Sequence, residues 1–198
     1  MNWFQHLANF ICKAIKKEIP FQVGNNELLV RGILHPMFYS NSNKTVKREA
    51  FLPPSNRQDV SLLRHGYSTD NFCKIHASSL VIKDNQYCGL ATFCAFHPKE
   101  VFDSIIPAER IKVEIKGTPI DENGVYISTP PVYKKSRGLP MHADMLYETP
   151  LVKGAPQTKH RQFANKLAKV SNYFHDPKPN SQKWSGEKLK WAKKNDNS

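Results

Sequence analysis

Short apolar runs bounded by turn residues dominate the first 150 positions of this chain, and they predict β-strands. Gln86–Phe96 is the most apolar segment and carries no charge, which is typical of a central strand buried on both faces. A hairpin is expected where Asp121-Glu122-Asn123-Gly124 precedes a returning strand at Val125–Ser128. The other predicted strands are Glu27–Leu34, Ala50–Leu52, Val60–Arg64, Arg110–Ile115 and Met141–Tyr147.

Helical periodicity appears in four further segments. The first 17 residues predict an amphipathic helix that ends before Pro20. A helix capped by Ser68 or Thr69 is expected to extend to Leu80, and a short one to cover Lys99–Ile105. Thr158–Phe174 carries the clearest apolar stripe. Because the strands and helices show no βαβ repeat, the predicted fold class is α+β, with a mixed or antiparallel sheet.

Length and composition limit the domain organisation and the compartment. A chain of 198 residues with 39% hydrophobic residues predicts one domain over 1–175 and a basic Trp/Lys-rich extension over 176–198. Its four cysteines follow no secreted disulfide pattern, so reduced thiols in the cytoplasm are expected. We expect no transmembrane segment, because no stretch approaches 18 uninterrupted apolar residues, and no signal peptide, because polar residues break up the apolar ones near the N-terminus and no small-residue cleavage site follows.

The net charge of +12 is concentrated near the C-terminus. Residues 151–198 contain eleven lysines and arginines against three acids, a net of +8, whereas residues 1–150 contribute +4. Lysines neutralise phosphates, and indole rings can stack on bases. The sequence therefore predicts a polyanion-binding protein, most of all a nucleic-acid-binding one. The predicted contacts are Lys159, Arg161, Lys166, Lys169, Lys183, Trp184, Lys188, Lys190, Trp191, Lys193 and Lys194.

Three alternatives to nucleic-acid contact remain open for this basic region. Trp184 and Trp191 could instead dock onto the domain, with the lysines only solvating its surface. The tail and the N-terminal helix could dock a partner protein as an interaction module. Peripheral membrane contact is the alternative that the composition favours least.

Cysteine and histidine pairs suggest a metal site as a further hypothesis. Cys73 and His76, and likewise Cys94 and His97, are separated by two residues, which resembles a Cys2His2 zinc set. Cys94 and His97 would point to opposite sides of a strand unless the chain bends at His97-Pro98. Buried structural cysteines are the competing interpretation.

Two groups of residues suggest catalysis. Glu114 and Lys116 lie two apart on a predicted strand, and this resembles the Glu-x-Lys half of the PD-(D/E)xK nuclease pattern. The resemblance implies Mg²⁺-dependent cleavage, with Asp103 as a second carboxylate. The upstream Pro-Asp pair of that pattern is missing. His142 and Asp144 alternate onto one strand face, where an aspartate could orient an imidazole for general-base chemistry.

Overall fold

The computed structural model describes residues 18–80, 84–133 and 136–191, so the helix predicted for residues 1–17 lies outside the described residues. Within these ranges the structure contains three α-helices, α1 (Asp70–Ser79), α2 (His97–Asp103) and α3 (Thr158–Val170). The strands are β1 (Leu28–His35), β2 (Tyr39–Ser40), β3 (Thr45–Val46), β4 (Asp59–Arg64), β5 (Gln86–Cys94), β6 (Val113–Gly117), β7 (His142–Tyr147) and β8 (Asn172–His175).

Six of the strands form one antiparallel sheet, with the order β6-β7-β4-β1-β5-β8. The α+β class with an antiparallel sheet is therefore confirmed. β2 and β3 pair only with each other, next to the end of β1. No helix in the described ranges is long and apolar enough to cross a membrane.

Helices cover both faces of the sheet. The central strands carry apolar side chains on both faces, so each face needs a covering layer. On one face, which we call the α3 face, Leu29, Ile33 and Phe93 pack against α3. On the opposite α1 face, Val30 and Leu90 pack against α1. The two-sided burial expected for β5 is present, since Leu90 and Phe93 are both 0% exposed.

The helix boundaries follow local signals closely, with one exception. Thr69 caps α1 by accepting a hydrogen bond from the backbone N–H of Phe72, as predicted. The helix expected to reach Phe174 ends at Val170 instead, and Ser171 is extended. The prediction for residues 171–174 is wrong because Tyr173 and Phe174 pair with β5 as strand β8. At these positions the chain pairs with β5 as a strand, although the spacing of its apolar residues is that of a helix.

Two predicted strands are also wrong. Ala50 and Phe51 belong to a single turn of 3-10 helix, Arg48–Phe51, which packs on the α3 face. Val125–Ser128 forms no strand, and the described part of the loop is held by single bridges from Ile120 to Tyr126 and Leu139. The Asp121 carboxylate accepts hydrogen bonds from the N–H groups of Asn123 and Val125, so it closes a local turn instead of a ladder.

The residues after β8 pack on the preceding part of the chain. Lys74, on α1, and Asp176 are both 0% exposed and form an ion pair at 2.7 Å. The Lys74 ammonium also donates to the carbonyl oxygens of Lys178 and Lys183 and to the Ser181 hydroxyl. Leu189 is 3% exposed within the apolar cluster of the α1 face. Residues 176–191, which we call the tail, are therefore part of the folded structure.

We predict that Lys74→Met destabilises the protein by about 3–5 kcal/mol, because it leaves the Asp176 carboxylate buried without its cation. The double variant Lys74→Met/Asp176→Asn should be more stable than Lys74→Met alone. Urea unfolding gives both free energies. If the single and double variants were equally stable, the ion pair would not be what fixes the tail.

Acid should remove part of this stability. Burial alone would raise the pKa of Asp176, but hydrogen bonds from Lys74, Ser185 and the Lys178 backbone, with the charge of Lys74, lower it below its usual value. A carboxyl whose folded pKa is depressed stabilises the protein above its unfolded pKa, and this contribution is lost as the pH falls through the folded pKa. We expect this loss below about pH 4. Asp176→Asn should lack this component in unfolding curves measured between pH 3 and 6.

Candidate functional site

The tail crosses the α1 face along a path that specific hydrogen bonds define. The backbone N–H of Trp184 donates to the Asn71 side chain, and that of Leu189 donates to the Asp70 carboxylate. Further along, the hydroxyl of Thr92 on β5 donates to the carbonyl of Lys190. The tail thus lies over the start of α1 and then over β5.

The exposed charges of the tail are mostly positive. Asp176 is neutralised by Lys74, so Glu187 is the one acidic side chain that residues 176–191 expose. The lysines exposed along the same path are Lys178, Lys183, Lys188 and Lys190. Lys193 and Lys194 lie outside the described residues. A fixed path with four exposed lysines and one exposed acid is an electrostatic surface for anions.

Both tail tryptophans contact the domain, which is the docking alternative raised by the sequence. The Trp184 indole N–H donates to the carbonyl of Glu187, and its ring lies against Gly186. Trp191 is half-buried, and its ring lies next to those of Phe96 and His97, with centroid distances of 5.8 and 5.3 Å. Docking and anion binding are compatible here because the lysine side chains remain exposed.

The basic residues predicted on helix α3 lie on the other side of the sheet. Phe163 and Leu167 turn the apolar stripe of α3 toward the α3 face. Exposed positions on this helix include Lys159, Arg161 and Lys169. Lys166 instead donates from its ammonium to the carbonyl and hydroxyl of Ser104. The predicted basic surface is therefore divided into two surfaces with the sheet between them.

The structure does not assemble the predicted zinc ligands. The thiol of Cys73 contacts the Ser68 hydroxyl, and burial raises its pKa to about 11. His97 Nδ1 lies 2.9 Å from the backbone N and 3.1 Å from the carbonyl O of Cys94, so the ring is held by the Cys94 backbone. Burial raises the pKa of Cys94 and lowers that of His76 and His97. In residues 18–80, 84–133 and 136–191, no three His, Cys, Asp or Glu side chains are grouped so that they could hold a metal.

Glu114 and Lys116 lie on edge strand β6, and their side chains are 55% and 54% exposed. They form an ion pair with each other at 3.3 Å. Asp103, at the end of α2, is exposed and belongs to no metal-binding group in the described ranges. These contacts are those of a solvated strand edge, and among the described residues Glu114 belongs to no group of three or more His, Cys, Asp or Glu side chains that could hold a metal ion.

His142 and Asp144 do share the α1 face of β7, as the alternation predicted. His142 is 7% exposed, and its Nε2 lies 3.8 Å from Asp144 Oδ1. Thr118 joins them, since its hydroxyl donates to Asp144 Oδ2 at 2.8 Å and lies 2.9 Å from His142 Nδ1. His142 Nδ1 also lies 2.9 Å from the carbonyl oxygen of Thr118. A carbonyl only accepts, so Nδ1 carries the proton.

This proton placement differs from that of a hydrolase triad. In a triad the nucleophile donates to the histidine, and the aspartate receives a hydrogen bond from the other ring nitrogen. Here the Thr118 hydroxyl donates to the aspartate, while the histidine donates to Thr118. His142 therefore cannot take the proton from this hydroxyl. The network links the loop at Thr118 to β7, and Asp144 Oδ1 is left buried without a hydrogen bond.

A second polar feature lies where β1 and β4 separate, and sequence reasoning missed it. The two strands pair only at Leu29↔Arg64 and Val30↔Leu63. Beyond these pairs, the Arg31 side chain fills the gap and donates to the carbonyls of Ser61 and Ala50. Burial lowers the pKa of Arg31 to about 10, although Asp144 opposes the shift, so Arg31 is charged at neutral pH. The sequence signal for this feature was the presence of Arg31 within the apolar predicted strand Glu27–Leu34.

The space beside this gap is small. It is bordered by Arg31, Ser61, Cys73 and His76 and has a volume of about 20 Å³, which is enough for about one water molecule. The larger groove of about 680 Å³ lies between the end of α1, the start of β5 and tail residues 179–182. Its lining residues include hydrogen-bonding side chains and the apolar Ile75 and Pro179, but no charged side chain.

Comparison of the chain with protein-family models, with curated proteins and with solved structures finds no match.

The Thr118 network allows a matched test of its structural role. The side-chain amide of asparagine lies near the position of histidine Nδ1, whereas that of glutamine lies near Nε2. We predict that His142→Asn retains the hydrogen bond to Thr118 and is about 1 kcal/mol more stable than His142→Gln. Urea unfolding measures both free energies. Equal stabilities, or greater stability of His142→Gln, would contradict this assignment of the proton to Nδ1.

Proposed function

We propose that this protein binds polyanions, nucleic acid first among them, through the lysines of its tail. The observation that carries the proposal is the arrangement of four exposed lysines, Lys178, Lys183, Lys188 and Lys190, along a path fixed on the α1 face. A lysine near a phosphate releases condensed counterions, which supplies a favourable entropy that does not depend on sequence.

The fixed path supports this proposal more strongly than composition alone. A disordered basic tail would lose conformational entropy on binding, which reduces its affinity. In this tail, the Lys74–Asp176 ion pair and the buried Leu189 order the backbone before any ligand arrives. The lysine side chains still lose rotamer freedom, but the backbone between them does not have to be ordered.

Helix α3 is a second basic surface in this proposal, not an extension of the first. One straight nucleic-acid segment cannot contact both surfaces because the sheet separates the tail from α3. We assign the main contact to the tail, since Lys166 is already engaged with Ser104 and since aromatic rings accompany lysines only in the tail.

The test compares two variants that remove the same charge. The tail variant is Lys178→Gln/Lys183→Gln/Lys188→Gln/Lys190→Gln, and the matched control is Lys153→Gln/Lys159→Gln/Arg161→Gln/Lys169→Gln, whose positions are also exposed. We predict that only the tail variant strongly weakens binding to a 20-nucleotide single strand. In the tail variant the magnitude of the slope of log affinity against log salt should decrease by about 3, because each of the four lost phosphate contacts contributes about 0.7.

Fluorescence anisotropy between 50 and 300 mM salt gives both slopes. Equal losses in the two variants would mean that net charge alone determines binding, and the tail would not be the interface. Wild-type affinity that does not change with salt would also contradict the proposal and would favour a protein partner bound through apolar contacts.

A further inference from the structure

We infer that Phe96 and Trp191 form a stacking platform for an unpaired base, so that the ligand of the tail is a single-stranded nucleic acid. This inference rests on the proposed function of the tail and adds the class of ligand to it. The platform lies where the tail reaches the junction between β5 and α2.

Three aromatic rings are in contact at this junction. The Phe96 and His97 rings are stacked at 4.3 Å between centroids, with 28° between their planes. The Trp191 ring stands at 81° to that of Phe96. His97 is only 4% exposed, whereas Phe96 and Trp191 are both half-buried. His97 therefore packs beneath the other two rings, which belong to partly exposed residues and whose planes stand at 81° to each other.

Backbone contacts hold both exposed rings in place. The N–H of Phe96 donates to the carbonyl of Asn25, and His97 Nδ1 is within hydrogen-bond distance of the Cys94 backbone. On the tail, the carbonyl of Lys190 accepts from the hydroxyl of Thr92, directly before Trp191. A ring that is already fixed loses little entropy when a base stacks on it.

The charges beside the platform fit a polynucleotide. Lys188 and Lys190 are exposed on the tail just before Trp191, and Lys99 is exposed two residues after His97. Glu100 is the acidic side chain next to Lys99. An aromatic face with flanking lysines matches the two contacts that single strands offer, the faces of unpaired bases and the phosphates. In a duplex the base faces are stacked inside and cannot reach these rings.

Trp184 provides an internal control for this inference. It lies on the same tail, but its indole N–H is used by the Glu187 carbonyl and its ring is placed against Gly186. Its contacts are those of a side chain that holds the tail together. A stacking role therefore predicts different behaviour for two tryptophans that are seven residues apart in a similar lysine-rich sequence.

The experiment measures affinity for a labelled 20-nucleotide oligothymidine and for a 20-base-pair duplex at 100 mM salt. Trp191→Leu keeps an apolar side chain but removes the ring, and we expect it to lose about 5- to 150-fold in affinity for the single strand. Affinity for the duplex should stay within about twofold of that of the wild type. Trp191→Phe should keep most of the single-strand affinity, and Trp184→Phe should lose much less of it than Trp191→Leu does.

Tryptophan fluorescence provides a second readout, which does not depend on the stability of Trp191→Leu. Oligothymidine should quench the emission of the wild type and of Trp184→Phe, and this quenching should largely disappear in Trp191→Phe. Unchanged quenching in Trp191→Phe would overturn the platform, and so would equal losses for single strand and duplex in Trp191→Leu.

These outcomes are separate from failure of the proposed function. If the lysine variant of the tail weakens binding but the Trp191 variants do not, the platform is wrong and the proposed function stands. If the wild type binds neither oligothymidine nor duplex in a salt-dependent manner, both fail.

Discussion

The ion pair between Lys74 and Asp176 determines where the basic C-terminal residues of this protein lie. Both side chains are fully buried, and a buried charge without its partner costs several kcal/mol, so the folded state keeps them together. Lys74 belongs to α1, and Asp176 follows β8 directly. Their contact therefore joins the tail to the first long helix. Every later contact of the tail, from Asn71 to Thr92, follows from that starting point.

The same ion pair accounts for the separation of the two basic surfaces. β8 is the edge strand next to β5, and α3 reaches it from the α3 face. After β8 the chain continues on the opposite face, where Lys74 lies. Lysines that are close in the sequence on either side of β8 are therefore separated by the sheet. The positive charges are close together in the sequence, but the fold places them on opposite faces of the sheet. The tail and α3 therefore form two different basic surfaces.

Arg31, His142 and Asp144 are held by hydrogen bonds within this fold, although Asp144 Oδ1 has no hydrogen-bond partner. Arg31 fills the gap where β1 and β4 separate, and it donates to the carbonyl of Ser61 on β4 and to that of Ala50 in the 3-10 turn. Thr118 links His142 to Asp144 with a proton arrangement that does not activate its hydroxyl. The exposed Glu114 and Lys116 side chains pair with each other at the edge of the sheet.

The sequence by itself determined the fold class, most strands, the capped start of α1 and the concentration of positive charge, because hydrophobic periodicity, capping residues and net charge are local properties. It could not identify β8, since a helical stripe and strand pairing compete at Tyr173 and Phe174 and only the neighbouring β5 decides between them. Nor could it show that Lys74 meets Asp176, that Phe96 meets Trp191, or that the Cys–His pairs do not converge. Those outcomes depend on contacts between residues that are far apart in the chain, and only the tertiary structure brings such residues together or keeps them apart.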